Sequence, residues 1–186
     1  MSFYFITGLP RSRTAWMANY LTHGRSMCFH DELLDGPLVL AAKMRKAAEH
    51  YAYVGHSDPA NLFCWRELDK AFKGEARWVV LVRNVKECIQ SVNRIVNADL
   101  SFHVHALLRR YYQLITGIPT SRFIHLSWHL NDEALDYIER FLFELPIVEE
   151  ERRALLQKFN VQIESSQMQE GIAGAIQKGL SWVPSP

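Results

Sequence analysis

The sequence predicts an α/β fold in which a parallel sheet of about five strands lies between two layers of helices. Strand-like and helix-like segments alternate along the chain, which is typical of parallel strands joined by crossover helices. The segment Arg77–Val82 contains an uninterrupted apolar run, as expected of a parallel strand buried on both faces. A length of 186 residues suits one domain with a substantial core, residues 1–186, and 48% hydrophobic residues are ordinary for a globular protein.

Five segments have the composition of strands, because aromatic and β-branched residues dominate them. They are Phe3–Thr7, Ser26–His30, Tyr51–His56, Arg77–Val82 and Arg122–Leu126. Ligands of parallel sheets bind beyond the carboxyl ends of the strands, so the residues that follow these strands are expected to form one site. These residues are Gly8–Thr14, His30–Glu32, His56–Asp58, Arg83–Asn84 and Ser127–His129.

Helices are predicted to begin near Arg13, Asp35, Ser57, Val85, Ser101, Asn131 and Glu149. Several of these starts carry a recognisable signal: Asp35 and Asn84 are capping residues, and Pro37 fits the first turn of a helix. After Asn131, two acidic residues occupy the first turn, where they complement the helix dipole. The last helix is expected to reach about residue 163, and the sequence leaves open whether the tail from about residue 167 is ordered.

Composition and charge exclude several classes of function. The net charge of +1 argues against a nucleic-acid polymer as partner, so a small anion would be held by local cations. The cysteines Cys28, Cys64 and Cys88 are odd in number and widely spaced, which suggests neither a disulfide framework nor a zinc site. The sequence shows no apolar run of about 20 residues and no basic leader, so we expect a cytoplasmic protein without a membrane partner.

The segment Gly8–Thr14, here called the anion loop, has the features of a phosphate-binding loop. It joins the first strand to a helix whose leading N–H groups lack partners within the helix and whose dipole attracts negative charge. Arg11 and Arg13 add two positive charges, and Ser12 and Thr14 add two hydroxyls. The loop is therefore predicted to bind a phosphate-like group.

The anion loop differs from the kinase-type P-loop, which reads G-x-x-x-x-G-K-[ST]. Counting from Gly8, Arg13 replaces the second glycine and Thr14 replaces the lysine. The loop resembles instead the 5′-phosphosulfate loop of sulfotransferases, which reads roughly T-x-P-K-S-G-T-T-W. The matching residues are, in order, Pro10, Arg11, Ser12, Thr14 and Trp16.

A second segment, Leu81–Ser91, resembles the R-N-P-K-D-x-x-x-S stretch with which sulfotransferases bind the 3′-phosphate of the donor nucleotide. Arg83 and Ser91 keep the family's spacing of eight residues, and Val85 stands where proline is usual. An arginine offers a fork of donors to phosphate, and Ser91 returns to the same side two turns along the helix. The other matching positions are Asn84 and Lys86.

Two further segments match the family more loosely. Phe123–Leu130 resembles its strand ending in Y-E-x-L, with Trp128 and His129 near the usual Tyr-Glu pair. Lys178 and Gly179 match two positions of an R-K-G loop that also contacts the 3′-phosphate in the family. All four segments follow the family's order along the chain.

The resemblance implies a P-loop NTPase-like fold and a sulfotransferase activity. A sulfonate group would move from 3′-phosphoadenosine 5′-phosphosulfate (PAPS) to a hydroxyl or amine of a small-molecule or carbohydrate acceptor, leaving 3′,5′-ADP and requiring no metal. Arg11 is the expected electrophile for the charge that develops on the bridging oxygen. The residues assigned to the donor nucleotide are Pro10, Arg11, Ser12, Arg13, Thr14, Ala15, Trp16, Arg83, Ser91, Lys178 and Gly179.

The acceptor must lose a proton, so the site needs a base. His56 ends a strand where cytosolic sulfotransferases carry a catalytic histidine before a proline, although Pro59 comes one residue late. Glu32 or Asp31 resembles the carboxylate base of bacterial and carbohydrate sulfotransferases. Glu32 is preferred, and the choice stays open at this point.

Two other functions remain open in the sequence. A nucleotide or small-molecule kinase would need a Mg²⁺ ligand, for which Asp58 is the best candidate. A noncatalytic nucleotide-binding module would keep the fold without the chemistry. The chain is short for a sulfotransferase and has few residues that could cover an acceptor, so the noncatalytic module stays an alternative.

Overall fold

The computed structural model describes residues 2–143 and 147–158, which contain a five-stranded sheet. Its strands are β1 (Ser2–Gly8), β2 (Ser26–Phe29), β3 (Tyr53–Ser57), β4 (Arg77–Val82) and β5 (Phe123–Ser127). Every pairing is parallel, and the strand order is β2-β3-β1-β4-β5. The predicted α/β fold with a parallel sheet is thus confirmed for this part of the chain.

Seven α-helices lie within the described residues. They are α1 (Thr14–Tyr20), α2 (Pro37–Ala47), α3 (Trp65–Ala71), α4 (Val85–Val96), α5 (Ser101–Gly117), α6 (Asp132–Leu142) and α7 (Glu149–Lys158). Asn84 caps α4 as expected, because its side chain accepts hydrogen bonds from the first backbone N–H groups of that helix. The predicted cap at Asp35 is wrong, since Gly36 occupies the N-cap of α2 and Asp35 ends a short 3₁₀ turn. The tail and the end of the last predicted helix lie outside the described residues.

The third predicted helix begins later than expected. The segment after Asp58 forms a 3₁₀ turn, Pro59–Leu62, and the α-helix starts only at Trp65. Asp58 caps the 3₁₀ turn, because its carboxylate accepts a hydrogen bond of 2.6 Å from the Ala60 N–H. The capping signal was therefore placed correctly but belongs to a different kind of helix.

Successive residues of a strand point to opposite faces of the sheet, so their side chains pack into two separate hydrophobic cores, one on each face. Phe5 and Trp78 stack with their ring centroids 4.6 Å apart and pack toward α2, α3 and α5. Tyr4 and Leu81 point to the opposite face and pack with residues of α1 and α6. The arrangement is a three-layer sandwich, as the continuous apolar pattern of β4 predicts.

The strand order places β1 between β3 and β4, so the anion loop leaves the middle of the sheet. Gly8 pairs with Leu81, and a Cβ atom at position 8 would lie only 2.5 Å from the Leu81 carbonyl oxygen. Glycine is therefore required where the loop begins. On the other side, Phe29 pairs with His56, which brings the ends of β2 and β3 next to each other.

A buried ion pair joins the helices on the α1 side of the sheet. Glu139 of α6 is fully buried and accepts hydrogen bonds from Arg152 of α7, at 3.2 and 2.6 Å, and from the Tyr20 hydroxyl of α1. Burial and the contact with Glu139 raise the pKa of Tyr20.

Among the described residues, no helix combines the length and apolar character needed to cross a membrane.

Candidate functional site

The anion loop has a backbone conformation that favours glycine at two arginines. Arg11 has φ 69° and Arg13 has φ 62°, both in the left-handed region. Arg13 stands where the phosphosulfate loop of sulfotransferases has glycine, so this arginine adopts a conformation suited to the residue that it replaces. Because α1 spans only seven residues, we attribute the positive potential of the loop chiefly to its arginines.

The structure brings together the two segments that resemble phosphate motifs. Arg11 Nε donates a hydrogen bond of 3.3 Å to Ser91 Oγ. Arg83 Nη1 donates one of 2.5 Å to the Arg11 carbonyl oxygen. These contacts join positions that are 80 and 72 residues apart in the chain. Arg11, Arg83 and Ser91 therefore form one cationic group at the carboxyl ends of β1 and β4.

Positive charge is concentrated in this group. Burial lowers the pKa of Arg11, and the positive charge of Arg83 lowers it further. Arg83 also contacts Glu87, with 3.4 Å between Nε and Oε2, and its side chain is only 14% exposed. Two guanidinium groups held close together repel each other, and an anion bound by both would remove that repulsion.

Trp128 contacts two of the arginines. The guanidinium carbon of Arg83 lies 4.0 Å from the centre of the Trp128 ring, and that of Arg13 lies 5.3 Å from it. Both distances fall within the range of cation–π attraction. The strand-end rule predicted that Ser127–His129 would lie at the edge that carries the site, but the sequence gave no indication that Trp128 contacts the arginines.

Two hydroxyls of the anion loop are buried. Ser12 Oγ makes no hydrogen bond of ordinary geometry and lies beside the thiol of Cys88. Burial raises the pKa of that thiol to about 11. A buried hydroxyl without a good partner costs free energy that a bound ligand can recover. Thr14 is tied to β3 through its carbonyl oxygen, which accepts a hydrogen bond of 2.7 Å from Ser57 Oγ.

The remaining nucleotide residues predicted from the sequence lie along the loop or outside the described part of the chain. Pro10, Ala15 and Trp16 are partly exposed in the loop and the first turn of α1. Trp16 stacks on Tyr20 in a nearly parallel arrangement, with ring centroids 5.1 Å apart. Lys178 and Gly179 lie outside the described residues.

The two preferred candidates for the base differ in accessibility. Glu32 is partly exposed in the 3₁₀ turn before α2, and its carboxylate lies 2.5 Å from Lys43 Nζ. His56 is fully buried, and its Nδ1 lies 2.7 Å from Asn61 Oδ1. Burial lowers the pKa of His56 to about 4, so the ring is neutral at pH 7. Of these two side chains, only Glu32 is accessible to solvent.

Asp31, the alternative carboxylate base, lies in a cluster with His30 and Asp58, here called the His30 cluster. One ligand atom from each of the three residues lies within 4.8 Å of the other two. Burial raises the pKa of Asp31, and the negative charge of Asp58 raises it further, against the opposing effect of His30. The strand-end rule predicted that all three residues would belong to one site, but it did not predict their contact with one another.

Comparisons with known proteins leave the family open, because no protein-family model and no curated protein matches this sequence. Function is therefore inferred from the chemistry of the site: a cationic group built from two loops, a buried hydroxyl, and carboxylates on the neighbouring strand ends.

Proposed function

We propose that this protein is a sulfotransferase that moves a sulfonate group from PAPS to a hydroxyl or amine of a small-molecule or carbohydrate acceptor. The observation that carries the proposal is the contact of Arg11 with both Ser91 and Arg83. This contact joins the two segments that resemble the family's 5′-phosphosulfate and 3′-phosphate motifs. Arginines and oriented polar groups bind phosphate and sulfonate oxygens without a metal.

Arg83 and Ser91 are proposed to bind the 3′-phosphate. Ser91 Oγ accepts its hydrogen bond from Arg11, so the Ser91 O–H is available to donate to a phosphate oxygen. An arginine carries five N–H donors, more than Arg83 uses toward Arg11 and Glu87. Both residues thus keep donor capacity for a ligand while holding the loop in place.

Arg11 is proposed to act on the sulfonate end of the nucleotide. The acceptor oxygen or nitrogen attacks sulfur while the bond from sulfur to the bridging oxygen of PAPS breaks. The electron pair of that bond leaves with 3′,5′-ADP, and the proton of the acceptor passes to a base. Arg11 stabilises the charge that develops on the bridging oxygen, a contribution typically worth about 10²–10³ in kcat.

Glu32 is the proposed base, with Asp31 as the alternative. Both carboxylates follow β2, which β3 separates from the strand of the anion loop, and neither is fully buried. His56 is completely enclosed and already bonded to Asn61, which disfavours a direct role in proton transfer. Exposure therefore supports the carboxylate over the imidazole.

A metal-dependent kinase is the second candidate function, and the position of Asp58 beside Asp31 and His30 is the observation that favours it. The missing Gly-Lys pair of the anion loop speaks against it, because that lysine normally contacts the terminal phosphates. A noncatalytic nucleotide-binding module is the third. The cytoplasmic location expected from the sequence stays a prediction.

Calorimetric titration with 3′,5′-ADP, with ATP, and with ATP plus Mg²⁺ separates these functions. A sulfotransferase should bind 3′,5′-ADP in the absence of metal and more tightly than ATP. Binding of ATP that depends on Mg²⁺ would support the kinase instead. Tight binding of 3′,5′-ADP without turnover of PAPS, across a panel of hydroxyl and amine acceptors and water, would indicate the noncatalytic module.

A further inference from the structure

We propose that the His30 cluster binds a divalent first-row transition-metal ion such as Mn²⁺ or Zn²⁺. This inference goes beyond the proposed sulfonate transfer, which requires no metal. The ligand atoms of His30, Asp31 and Asp58 all lie within 4.8 Å of one another. Ligands about 2.0–2.3 Å from one ion lie about 3–4.6 Å apart in tetrahedral or octahedral geometry, so a small movement of the side chains suffices to bind an ion.

The ring of His30 is already oriented as a metal ligand. Its Nδ1 contacts the carbonyl oxygen of Ser57, so Nδ1 carries the proton. Nε2 is therefore the ring nitrogen that can bind a metal when it carries no proton, and it lies 3.4 Å from Asp31 Oδ1. Metal-binding histidines commonly donate their second ring N–H to a backbone carbonyl, which fixes the tautomer in this way.

The two carboxylates need a positive partner. Asp58 is only 6% exposed, and its approach to Asp31 is unfavourable unless the two share a proton or a cation. A proton on the carboxyl groups, or on Nε2 of His30, would relieve the repulsion without a metal. A divalent ion interacts with all three groups, and the mixture of carboxylate and imidazole suits Mn²⁺ or Zn²⁺ better than Mg²⁺.

A second observation comes from His56, which is not a member of the cluster. Its Nδ1 is turned toward Asn61, whereas its Nε2 is buried and has no hydrogen-bond partner among the described residues. Asp31 lies near enough for its charge to act on the His56 ring. A water molecule bound to the ion would supply the donor that Nε2 lacks.

Conservative variants allow a direct test. Asp31→Asn keeps the shape of a residue whose φ is 58°, a conformation that asparagine tolerates. Asp58→Asn keeps a side-chain oxygen that can cap the Ala60 N–H. Asp35→Asn is the matched control, because Asp35 is an exposed carboxylate of the adjoining turn that does not belong to the cluster.

The experiment is calorimetric titration of tag-free, EDTA-treated full-length protein with MnCl₂ and, separately, with ZnCl₂, without nucleotide. One saturable site is expected in the wild type and in Asp35→Asn, with a Kd at least tenfold lower than in Asp31→Asn and Asp58→Asn. Circular dichroism should show the metal raising Tm only in the first two proteins. Since Asp31 is exposed, Asp31→Asn decides the question even if Asp58→Asn does not fold.

Two results would overturn the proposal. Absence of saturable binding of both metals to the wild type would mean that protons alone, on the carboxyl groups or on His30, balance the charge of the cluster. Equal metal affinity of Asp31→Asn and Asp35→Asn would place any bound ion elsewhere in the chain. Because no nucleotide is present, either result leaves the sulfotransferase proposal to its own test.

Discussion

The guanidinium group of Arg83 lies over the ring of Trp128, with 4.0 Å between the guanidinium carbon and the ring centre. The backbone N–H of Trp128 donates to the Val82 carbonyl oxygen over 3.0 Å, which anchors the tryptophan beside the end of β4. Arg13 approaches the same ring from the anion loop. One aromatic side chain thus positions cations from two different segments of the candidate site.

Removing this ring should weaken nucleotide binding. Trp128→Ala is expected to raise the Kd for 3′,5′-ADP about 2- to 30-fold, which corresponds to a cation–π contribution of about 0.5–2 kcal/mol. Trp128→Phe keeps an aromatic face and should lose less. Calorimetry gives the affinities, and unchanged affinity in Trp128→Ala would show that the ring does not position the arginines.

Arg83 should determine the preference for a 3′-phosphate. The wild type is expected to bind 3′,5′-ADP at least tenfold more tightly than 5′-ADP, a difference of about 1.4 kcal/mol. Arg83→Ala should abolish most of this difference. Arg94→Ala is the control, because it removes an equal charge from the exposed side of α4. Equal affinity of the wild type for both nucleotides would contradict the assignment.

Arg11 should affect turnover more than binding of the product nucleotide. Arg11→Ala is expected to lower kcat by about 10²–10³, because it removes charge stabilisation at the bridging oxygen. The affinity for 3′,5′-ADP, which lacks the sulfonate, should change less. Arg11→Lys keeps the positive charge and should recover part of the rate. A variant that binds poorly but turns over normally at saturation would assign Arg11 to binding alone.

Much of the fold was predictable because its signals are local. The apolar run of β4 and the capping side chains of Asn84 and Asn131 indicate their elements without knowledge of tertiary contacts. The strand order is different, since nothing local in the sequence states that β1 pairs with both β3 and β4. The rule that parallel strands carry their ligands at the carboxyl ends predicted that the Arg11 and Arg83 segments would lie together, and the motif resemblance agreed with it.

The unpredicted parts of the site depend on register. His30 was placed inside β2, but the strand ends at Phe29, and the His30 ring bonds to the backbone of Ser57 instead. That contact follows from the pairing of Phe29 with His56, which sequence patterns do not specify. The contact between Trp128 and Arg83 likewise requires β5 to lie beside β4. The strand-end rule placed these residues at one site, but it did not specify either contact.

Replacing Arg13 should change the stability of the fold and the affinity for 3′,5′-ADP in opposite directions. Arg13→Gly relieves a left-handed conformation and is expected to stabilise the fold by up to about 1 kcal/mol. It also removes a cation that contacts Trp128, so the affinity for 3′,5′-ADP should fall. Thermal unfolding and calorimetry measure the two effects.

Lys73→Gly is the control for this trade-off. Lys73 follows α3, lies outside the site and has φ 56°. The Lys73→Gly variant should therefore gain stability without losing affinity for 3′,5′-ADP. Parallel loss of affinity in both variants would mean that general flexibility, rather than the Arg13 side chain, governs binding.

The assignment of the base can be tested with a control that separates charge pairing from proton transfer. Glu32→Gln keeps the shape of the side chain but cannot accept a proton, so it should lower kcat by at least about 10² while sparing 3′,5′-ADP binding. It also breaks the ion pair with Lys43. Lys43→Met breaks the same pair and leaves the carboxylate, so this variant should stay active.

Equal rate losses in the two variants would show that Glu32 has only a structural role. Retained activity in Glu32→Gln, combined with an inactive His56→Asn of unchanged Tm, would assign the base to His56.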